Sequence, residues 1–409
     1  MLYDIHPINL FKALSSALEL SNGGLANHHW RTAMISNRIG EAIGMDEGQR
    51  QILIYAALLH DLGAAARWEE RDKLHQFEVN KDIYAHTELG YYLLKDSPKL
   101  GMLAKPIRHH HDFWDGSSPS RLSGDELPLI SRIINVADRL EILIDDQEYI
   151  LAQKTDILAS MRKLGGTYFD PAIIQTLQSF SRQESFWLDL ADLNYVQRFF
   201  EKINRYGHMR LNVDDVLDIA GIFANIIDHT SSFTGRHSRN VAAVSSFLAT
   251  IRGYSEDECK AIRIAGLLHD LGKLAVPNQI LEKPGKLAER EFALIKQHPY
   301  FTYRILEQID GFAVIAEWAA YHHETLDGAG YPFRIKESQL KSGSRIVAVA
   351  DVFAALIERR SYRGVLSHCE VKNIMCSMVD NRKIDGAIVQ NLFEHFDCIS
   401  DMVDIKIYA

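Results

Sequence analysis

The sequence predicts an all-α protein in which two copies of one helical bundle follow each other along 409 residues. Three observations lead to this expectation. Apolar residues recur at helical spacing, similar motifs recur at an offset of about half the chain, and no Asn-Gly or Asp-Gly turn joins two alternating strand patterns. Together these patterns argue against an all-β fold.

Helical periodicity is clearest in three segments. Apolar residues at positions i, i+3, i+4 and i+7 predict amphipathic helices over 52–59, 213–227 and 241–251. The first of these segments runs into the motif HDLG (60–63), where we expect the glycine to stop the helix.

Two apolar runs are ambiguous by periodicity alone. RIINVAD (132–138) and RIVAVAD (345–351) fit either a short buried strand or part of a buried helix. Their continuations, RLEILI and VFAALI, lengthen the apolar runs, and their alanine content favours helix. We therefore expect buried helices in both places.

The chain repeats itself at about half its length. LIYAALLHDLG (53–63) is similar to IRIAGLLHDLG (262–272), at an offset of 209 residues. Histidine and aspartate positions farther along repeat at offsets of 212 and 213, and so long a period indicates two domain copies rather than a solenoid. We expect a first copy over 1–190, a helical connector over 191–213 and a second copy over 214–409.

Composition and charge narrow the classes of function. The 45 Lys and Arg residues against 54 Asp and Glu residues give a formal charge of −9, which argues against binding long nucleic acids through a basic surface. No stretch reaches roughly 18 consecutive apolar residues, and the N-terminus lacks the features of a secretory signal. We therefore expect a cytoplasmic protein without a membrane span. The aromatic connector leads us to expect that the two copies pack together, and a homodimer is left open.

Seven residues of the second copy form a candidate set of metal ligands: His237, His269, Asp270, His298, His322, His323 and Asp351. Imidazole and carboxylate ligands together suit Mn, Fe, Co, Ni or Zn. None of the four cysteines belongs to a CxxC pair, which argues against a zinc site built from thiolates. A single ion needs fewer than seven ligands. Two ions about 3.5–4 Å apart that share a carboxylate would use all of them, and such pairs cleave phosphate esters.

Basic residues near these positions indicate an anionic substrate. Lys273 is four residues after His269, so its ammonium reaches the same side if the helix continues. Lys286, Arg360 and Arg363 lie in turn-rich segments close in sequence to other ligand candidates. In an acidic chain, cations beside a metal cluster favour a phosphate-bearing ligand.

Several motifs occur here in the order and spacing of one family: HDLGK (269–273), EKPGKL (282–287), HHETLDGAGYP (322–332) and VADVFAAL (349–356). With them, the second half resembles the HD-GYP subclass of the HD metal-dependent phosphohydrolases. The resemblance implies an all-helical domain, and with the internal repeat we expect two tandem HD-type helical bundles formed by internal duplication. It also implies hydrolysis of a bacterial cyclic dinucleotide, cyclic di-GMP or 3′,3′-cyclic GMP-AMP, to the linear dinucleotide by a metal-activated water.

The resemblance also implies roles for individual residues. The seven candidate ligands match the family's metal ligands, with Asp270 as the bridging carboxylate. Lys273 would contact the substrate phosphate and stabilise the transition state. The cofactors would be two divalent transition-metal ions, in the first place iron or manganese, with nickel, cobalt or zinc as alternatives. The residues that would line the nucleotide pocket are Tyr331, Arg360 and Arg363, and Lys286 remains a substrate-binding candidate from its place among the basic residues.

Some positions depart from the family pattern. Phe233 stands where members with three metals carry a glutamate, so we expect two metals rather than three. Ala354 replaces an aspartate three residues after the last ligand. Leu326, Ala329 and Ser361 also differ from the residues that are common in the family. These differences leave the choice between cyclic di-GMP and cyclic GMP-AMP open.

The first copy resembles an HD domain that has lost parts of its active site. Its candidate ligands for a residual metal are His28, His60, Asp61, His86, His110, His111 and Asp138. A one-residue misalignment would substitute the neighbours His29 and His109. Ala64 stands at the lysine position, and neither a GYP tripeptide nor the downstream arginines follow. We expect a regulatory or architectural role for this copy.

Two other functions stay open at this point. A cyclic-dinucleotide receptor would use the same pocket without turnover, and the intact Lys273 and ligand set argue against it. An HD phosphohydrolase that acts on other nucleotides would share the metal centre. The GYP tripeptide and the EKPGKL segment argue against that alternative.

Overall fold

The computed structural model describes the whole chain except residues 1–4, 21–26, 65–82, 207–209, 230–235, 284, 359–365 and 404–409. Contacts divide the chain into two compact units. The first unit is His6–Arg210, and the second unit is Leu211–Ala409 together with Met1–Ile5. The boundary between the units falls inside the predicted connector, 191–213.

Both units are built from α-helices. Those of the first unit are Pro7–Leu20, His28–Ala42, Glu47–Leu58, Tyr84–Leu94, Gly101–Arg108, Leu129–Ile142, Ile150–Lys163, Pro171–Phe180, Glu184–Ala191 and Leu193–Tyr206. Those of the second unit are Val213–His229, His237–Ile251, Glu256–Leu268, Asn278–Leu281, Glu289–Ile295, His298–Leu306, Ala313–Ala320, Ser342–Ile357, His368–Asp380, Gly386–Glu394 and Phe396–Met402. The described residues contain isolated bridges but no β-strand, which confirms the all-α prediction. Among these residues, no helix combines the length and the apolar character needed to cross a membrane.

The helix that leads into the HD motif begins in the same way in both units. Asp46 accepts a hydrogen bond from Gln49 N at 2.8 Å, and Asp46 N donates to Gln49 Oε1 at 3.1 Å. Ser255 and Glu258, each 209 residues farther on, form the same reciprocal pair. Such a capping box gives partners to amides that the helix leaves unpaired and stabilises the helix by about 1 kcal/mol.

The two ambiguous apolar runs are helices, as expected from their composition. They lie in Leu129–Ile142 and Ser342–Ile357. Leu129–Ile142 packs on His28–Ala42, and Ser342–Ile357 packs on His237–Ile251. Both runs are buried on most faces, which explains why their apolar residues are continuous rather than periodic. Each of these two helices carries the last carboxylate ligand candidate of its unit, Asp138 or Asp351.

The glycine of the HDLG motif allows a close approach and does not stop the helix, contrary to the expectation from sequence. The helix Glu47–Leu58 ends several residues earlier, and Gly63 lies in the turn that follows. A Cβ atom on Gly63 would lie 2.0 Å from His86 O, and one on Gly272 would lie 2.0 Å from His298 O. In both units the glycine therefore lets the HD turn pack against the backbone of the next ligand candidate.

Candidate metal centre

Five segments bring all seven predicted ligands of the second unit into one cluster. These segments are the first residue of His237–Ile251, the turn after Glu256–Leu268, the first residue of His298–Leu306, the 3₁₀ turn Tyr321–His323 and the middle of Ser342–Ile357. The ligand atoms form overlapping groups whose members lie within 4.8 Å of one another. Helix ends thus supply most of the set, and the side chains converge from different directions.

The two carboxylate oxygens of Asp270 face different histidines. Oδ2 lies 3.2 Å from His269 Nε2 and 4.0 Å from His237 Nε2. Oδ1 lies 3.3 Å from His298 Nε2 and 3.9 Å from His322 Nε2. One carboxylate therefore adjoins two groups of imidazoles, which is the geometry that a bridging ligand needs.

Backbone hydrogen bonds assign the tautomer of three of these histidines. The Nδ1 atoms of His269, His298 and His322 each donate to the carbonyl oxygen three residues earlier, at 2.7–2.8 Å. A proton on Nδ1 leaves the Nε2 lone pair directed into the cluster, as metal ligation requires.

The Nε2 lone pairs that point into the cluster have no hydrogen-bond donor among the described residues and would be stabilised by a cation. The Nε2 atoms of His298 and His322 face each other at 3.2 Å, and two acceptors at that distance repel. His269 Nε2 is buried and makes no hydrogen bond to the described part of the chain. Buried polar atoms normally have a partner. The donor set therefore fits a metal ion.

Burial keeps some groups of the cluster neutral, while opposite charges keep others ionised. Burial, reinforced by neighbouring imidazoles, lowers the pKa of His322 well below its usual range and that of His323 to about 3. Burial alone would raise the pKa of Asp270, but His269 and Lys273 hold it well below its usual range. Burial alone would lower the pKa of His237, but hydrogen bonds to Asp351 and Glu358 raise it to about 10. His322, His323 and Asp270 therefore have the protonation states that bind divalent metals, whereas His237 must release a proton when a metal binds.

Lys273 contacts the cluster, but not through a continuing helical turn as the sequence led us to expect. The α-helix ends at Leu268 and a 3₁₀ segment, Leu271–Ala275, follows, so the helical turn does not continue. The ammonium of Lys273 instead donates a short hydrogen bond to Asp270 Oδ2. The Lys273 side chain is 30% exposed and that of Asp270 is 4% exposed. The ammonium therefore lies on the solvent side of the cluster.

The GYP segment is fixed beside the cluster by its backbone. The buried carboxylate of Glu324 accepts hydrogen bonds from the backbone amides of residues 333–335 at 2.7–3.1 Å. A Cβ atom on Gly330 would lie 2.5 Å from Glu324 Cα, so this position requires glycine. The ring of Tyr331 lies 4.8 Å from that of His323. Tyr331 is thus placed next to a ligand candidate.

Two residues that the sequence did not single out adjoin Tyr331. The ring of Phe292 lies 6.1 Å from that of Tyr331. The ammonium of Lys296 lies 4.8 Å from the centre of the Phe292 ring and 5.8 Å from that of Tyr331. Phe292 is 41% exposed. The structure therefore adds an aromatic and cationic surface next to the metal cluster.

For the other residues predicted to bind substrate, the structure describes no contact with this cluster. Arg360 and Arg363 lie outside the described residues, as do Phe233 and Ser361. Lys286 is exposed in the segment before Glu289–Ile295. The roles assigned to these residues stay predictions.

Glu358 contacts the cluster, although the sequence did not single it out. Its Oε2 accepts a hydrogen bond from His237 Nδ1 at 2.9 Å, and its Oε1 accepts one from Asn240 Nδ2 at 2.9 Å. In the first unit, Glu141 contacts His28 Nδ1 in the same way. The sequence contains a signal that could have identified Glu358. In both copies an acidic residue follows shortly after the last carboxylate ligand candidate.

The first unit also brings its predicted ligands together: His28, His60, Asp61, His86, His110, His111 and Asp138. Asp61 repeats the arrangement of Asp270. Its Oδ2 lies 3.3 Å from His60 Nε2 and its Oδ1 lies 3.3 Å from His86 Nε2. The Nδ1 atoms of His60 and His110 donate to the carbonyl oxygens three residues earlier, at 2.8 and 2.7 Å. The geometry of a metal centre is therefore present twice in the chain.

Of the two neighbouring histidines in the first unit, His29 enters the cluster and His109 does not. His29 is fully buried, and its Nε2 lies 3.8 Å from Asp61 Oδ2. His109 instead pairs through Nδ1 with Asp112 Oδ2 at 2.7 Å. The first cluster therefore has one candidate ligand more than predicted.

Comparisons with known proteins agree with this duplication. HD domain families match residues 25–143 and residues 221–388. The 3′3′-cGAMP-specific phosphodiesterase 1 of Vibrio cholerae is 31% identical over 399 residues, which cover 94% of this chain and 92% of that protein. A cyclic di-GMP phosphodiesterase of Thermotoga maritima is 38% identical over 153 residues, which cover 37% of this chain and 42% of that protein. The crystal structure of a cyclic GMP-AMP-specific phosphodiesterase of V. cholerae covers 99% of this chain and 100% of that chain, with a TM-score of 0.68 and 22% identity, and so has the same fold.

Proposed function

This chain belongs to the HD-GYP family of HD-domain proteins, and from this membership we propose that it is a metal-dependent phosphodiesterase that opens a cyclic dinucleotide. The proposal places the reaction in the second copy, 214–409. The first copy, 1–190, and the connector, 191–213, would not take part in the chemistry.

The arrangement around Asp270 supports this proposal most directly. Its two oxygens adjoin separate groups of imidazoles, and Lys273 contacts the same carboxylate from the solvent side. A receptor that only binds a nucleotide has no need for a carboxylate shared between two ligand groups. In hydrolysis of a phosphodiester, by contrast, two metal ions held by such a carboxylate can stabilise both the attacking and the leaving oxygen.

We propose that two divalent transition-metal ions, in the first place iron or manganese, are held by the seven residues of the second unit: His237, His269, Asp270, His298, His322, His323 and Asp351. When bound, these ions would supply Lewis-acid activation of a water molecule and of the phosphate. The Nδ1 hydrogen bonds of the histidines would keep their Nε2 atoms directed at the centre.

The chain's own cations would stabilise the charge that develops on the phosphate. The ammonium of Lys273 is partly exposed beside Asp270, so it can turn a hydrogen bond towards a phosphate oxygen. Tyr331 and Phe292 offer aromatic faces to a base, and Lys296 lies over both rings. Metal ligands, aromatic faces and two lysines together suit a purine dinucleotide with two phosphates.

The relatives favour one of the two cyclic dinucleotides as the substrate. The relative that spans almost all of this chain is specific for 3′3′-cyclic GMP-AMP, whereas the T. maritima relative that acts on cyclic di-GMP matches a much smaller share. We therefore propose 3′3′-cyclic GMP-AMP as the first substrate to test and cyclic di-GMP as the second.

Incubation of metal-loaded, full-length protein with each cyclic dinucleotide tests the proposal. The linear dinucleotide should appear by chromatography with the wild type and should be absent with Asp270→Asn, a variant of nearly the same size and shape. Tight binding of a cyclic dinucleotide without any linear product would support a receptor instead. Turnover of other nucleotides alone would indicate a different HD phosphohydrolase.

A further inference from the structure

His29 gives the first unit a ligand candidate that the second unit lacks. At the equivalent position, 209 residues later, the second unit has Ser238, whose hydroxyl donates to Asp228 Oδ1 at 2.7 Å. The backbone corresponds in the two units. Glu19 accepts the amide of His29 at 2.8 Å, and Asp228 accepts the amide of Ser238 at 3.2 Å. The difference between the units at this point is therefore in the side chain.

His29 completes a set of four converging atoms with His28, His60 and Asp61. The Nε2 atom of His60 lies 3.4 Å from that of His28 and 3.3 Å from Asp61 Oδ2. The Nε2 atoms of His28 and His29 both lie 3.8 Å from Asp61 Oδ2. Four N and O ligands at about 2.0–2.1 Å from one tetrahedral ion are separated from each other by about 3.3–3.4 Å. The two separations from His60 Nε2 match the edges of such a tetrahedron, and the two 3.8 Å separations are about 0.4–0.5 Å longer.

Each histidine of this set also has an acceptor behind its ring. His60 Nδ1 donates to Ala57 O at 2.8 Å, and His28 Nδ1 is in contact with Glu141. His29 Nδ1 lies 3.4 Å from Glu19 Oε1. The acceptors of His60 and His28 hold Nε2 as the ligating atom, as in the usual outer shell of a metal site, whereas His29 Nδ1 makes no hydrogen bond to any described residue.

The set is closed to solvent. His28, His29, His60 and Asp61 are each at most 4% exposed. The Nε2 atom of His29 is buried and makes no hydrogen bond to any residue that the structure describes. In the second unit, by contrast, the side chain of Asp351 is 14% exposed and Lys273 reaches solvent.

The groups that would assist hydrolysis are changed in the first unit. Ala64 stands where the second unit has Lys273. The buried guanidinium of Arg139 binds Asp138 Oδ2 at 2.9–3.0 Å, so only Asp138 Oδ1, which lies 3.4 Å from His28 Nε2, still faces the histidines of the proposed site.

We propose that the first unit holds a metal ion in a closed site of four ligands, His28, His29, His60 and Asp61, and that this ion stabilises the unit and takes no part in hydrolysis. Structural metal sites fill all coordination positions with protein ligands, whereas catalytic sites keep one open. His29 fills the position that Ser238 leaves open in the second unit. The proposal goes beyond the phosphodiesterase function and does not depend on it.

The test uses the full-length chain with the second centre emptied by Asp270→Asn. Elemental analysis after dialysis against EDTA should find at least one ion per chain in Asp270→Asn. It should find about one ion per chain fewer in the double variant His29→Ser/Asp270→Asn, in which the first unit carries the serine of the second and keeps the separate group of Asp61, His86, His110 and His111. The double variant should also unfold at a lower temperature. Loss of all metal from Asp270→Asn would overturn the proposal, and this result does not require the double variant to fold.

Two further outcomes separate this proposal from the phosphodiesterase function. His29→Ser alone should leave turnover of the cyclic dinucleotide per folded chain unchanged, and a loss of turnover in folded protein would overturn the non-catalytic role. Equal metal content in Asp270→Asn and the double variant would overturn the role of His29. Because metal content is measured without substrate, it decides the question even for a chain that hydrolyses neither dinucleotide.

Discussion

The Nδ1 atom of His237 donates a hydrogen bond to Oε2 of Glu358 at 2.9 Å. In the first unit the equivalent histidine, His28, contacts Glu141 through Nδ1. Glu141 lies three residues after Asp138, the last carboxylate ligand candidate. The corresponding position in the second unit is Ala354, and Glu358 supplies the carboxylate from about one helical turn farther on. The second unit has therefore kept the orienting carboxylate but takes it from a different position.

Glu358→Ala should weaken metal binding in the second unit by roughly 10–100-fold, the range for losing a group that orients a ligand histidine. Glu358→Gln should lose less, because its amide oxygen can still accept the Nδ1 proton. Metal titration and turnover as a function of metal concentration measure the effect. Glu141→Ala, the matched change in the first unit, should leave the second centre unaffected. Equal metal affinity for wild type and Glu358→Ala would contradict the role of Glu358.

Asp270→Ala should remove the metal ions of the second unit and abolish hydrolysis, since both groups of imidazoles lose the carboxylate that they share. Elemental analysis and product chromatography on the same preparation check both expectations. A variant that is free of metal in the second unit yet active would show that the centre is not catalytic.

Lys273→Ala should lower turnover by roughly 10²–10³, the scale for removing one donor that stabilises transition-state charge. The metal content should persist, because Lys273 contacts Asp270 from the solvent side and is not a ligand candidate. Lys260→Ala is a suitable control, since Lys260 pairs with Asp214 on the surface at 2.9 Å. An unchanged rate for Lys273→Ala would refute the assigned role.

A pair of double variants tests which unit carries out the chemistry. His269→Ala with Asp270→Ala should abolish product formation, whereas His60→Ala with Asp61→Ala should leave the second site able to form product. The physical reason is that only the second unit has the lysine and the GYP segment beside its metal ligands. Product formation is compared under identical metal loading. The reverse result would assign catalysis to the first unit.

Gly272→Ala should destabilise the protein by about 1–3 kcal/mol, the usual cost of overpacking, because the added Cβ would lie 2.0 Å from His298 O. Gly221→Ala, inside the helix Val213–His229 and with open space around its Cβ position, should be neutral or stabilising by up to about 1 kcal/mol. Thermal or urea unfolding of the two variants gives the comparison. Equal stability of both would show that the backbone at the HD turn yields to the extra atom.

Several features of this protein could be predicted from the sequence because they depend on local order along the chain. Apolar spacing predicted the helices, and composition resolved the runs 132–138 and 345–351 as buried helix. The repeat at 209–213 residues and the motifs around HDLG identified the duplication and the ligand candidates of both copies. Residue type and spacing suffice for such inferences, because they do not depend on how distant segments approach each other.

Only the tertiary structure decided which neighbours of these motifs take part. Neighbouring residues of a helix point in directions about 100° apart. Spacing along the chain could not show whether His28, His29 or both face the ligand cluster. The packing of the helices placed His29 inside it as well. Glu358 directly follows the helix Ser342–Ile357, and the sequence could not show that His237–Ile251 approaches this helix end closely enough for Glu358 to supply the carboxylate. Lys273 reached the centre although its helix had ended. In each case the deciding quantity is a distance between segments far apart in the chain, which is determined by how the helices pack.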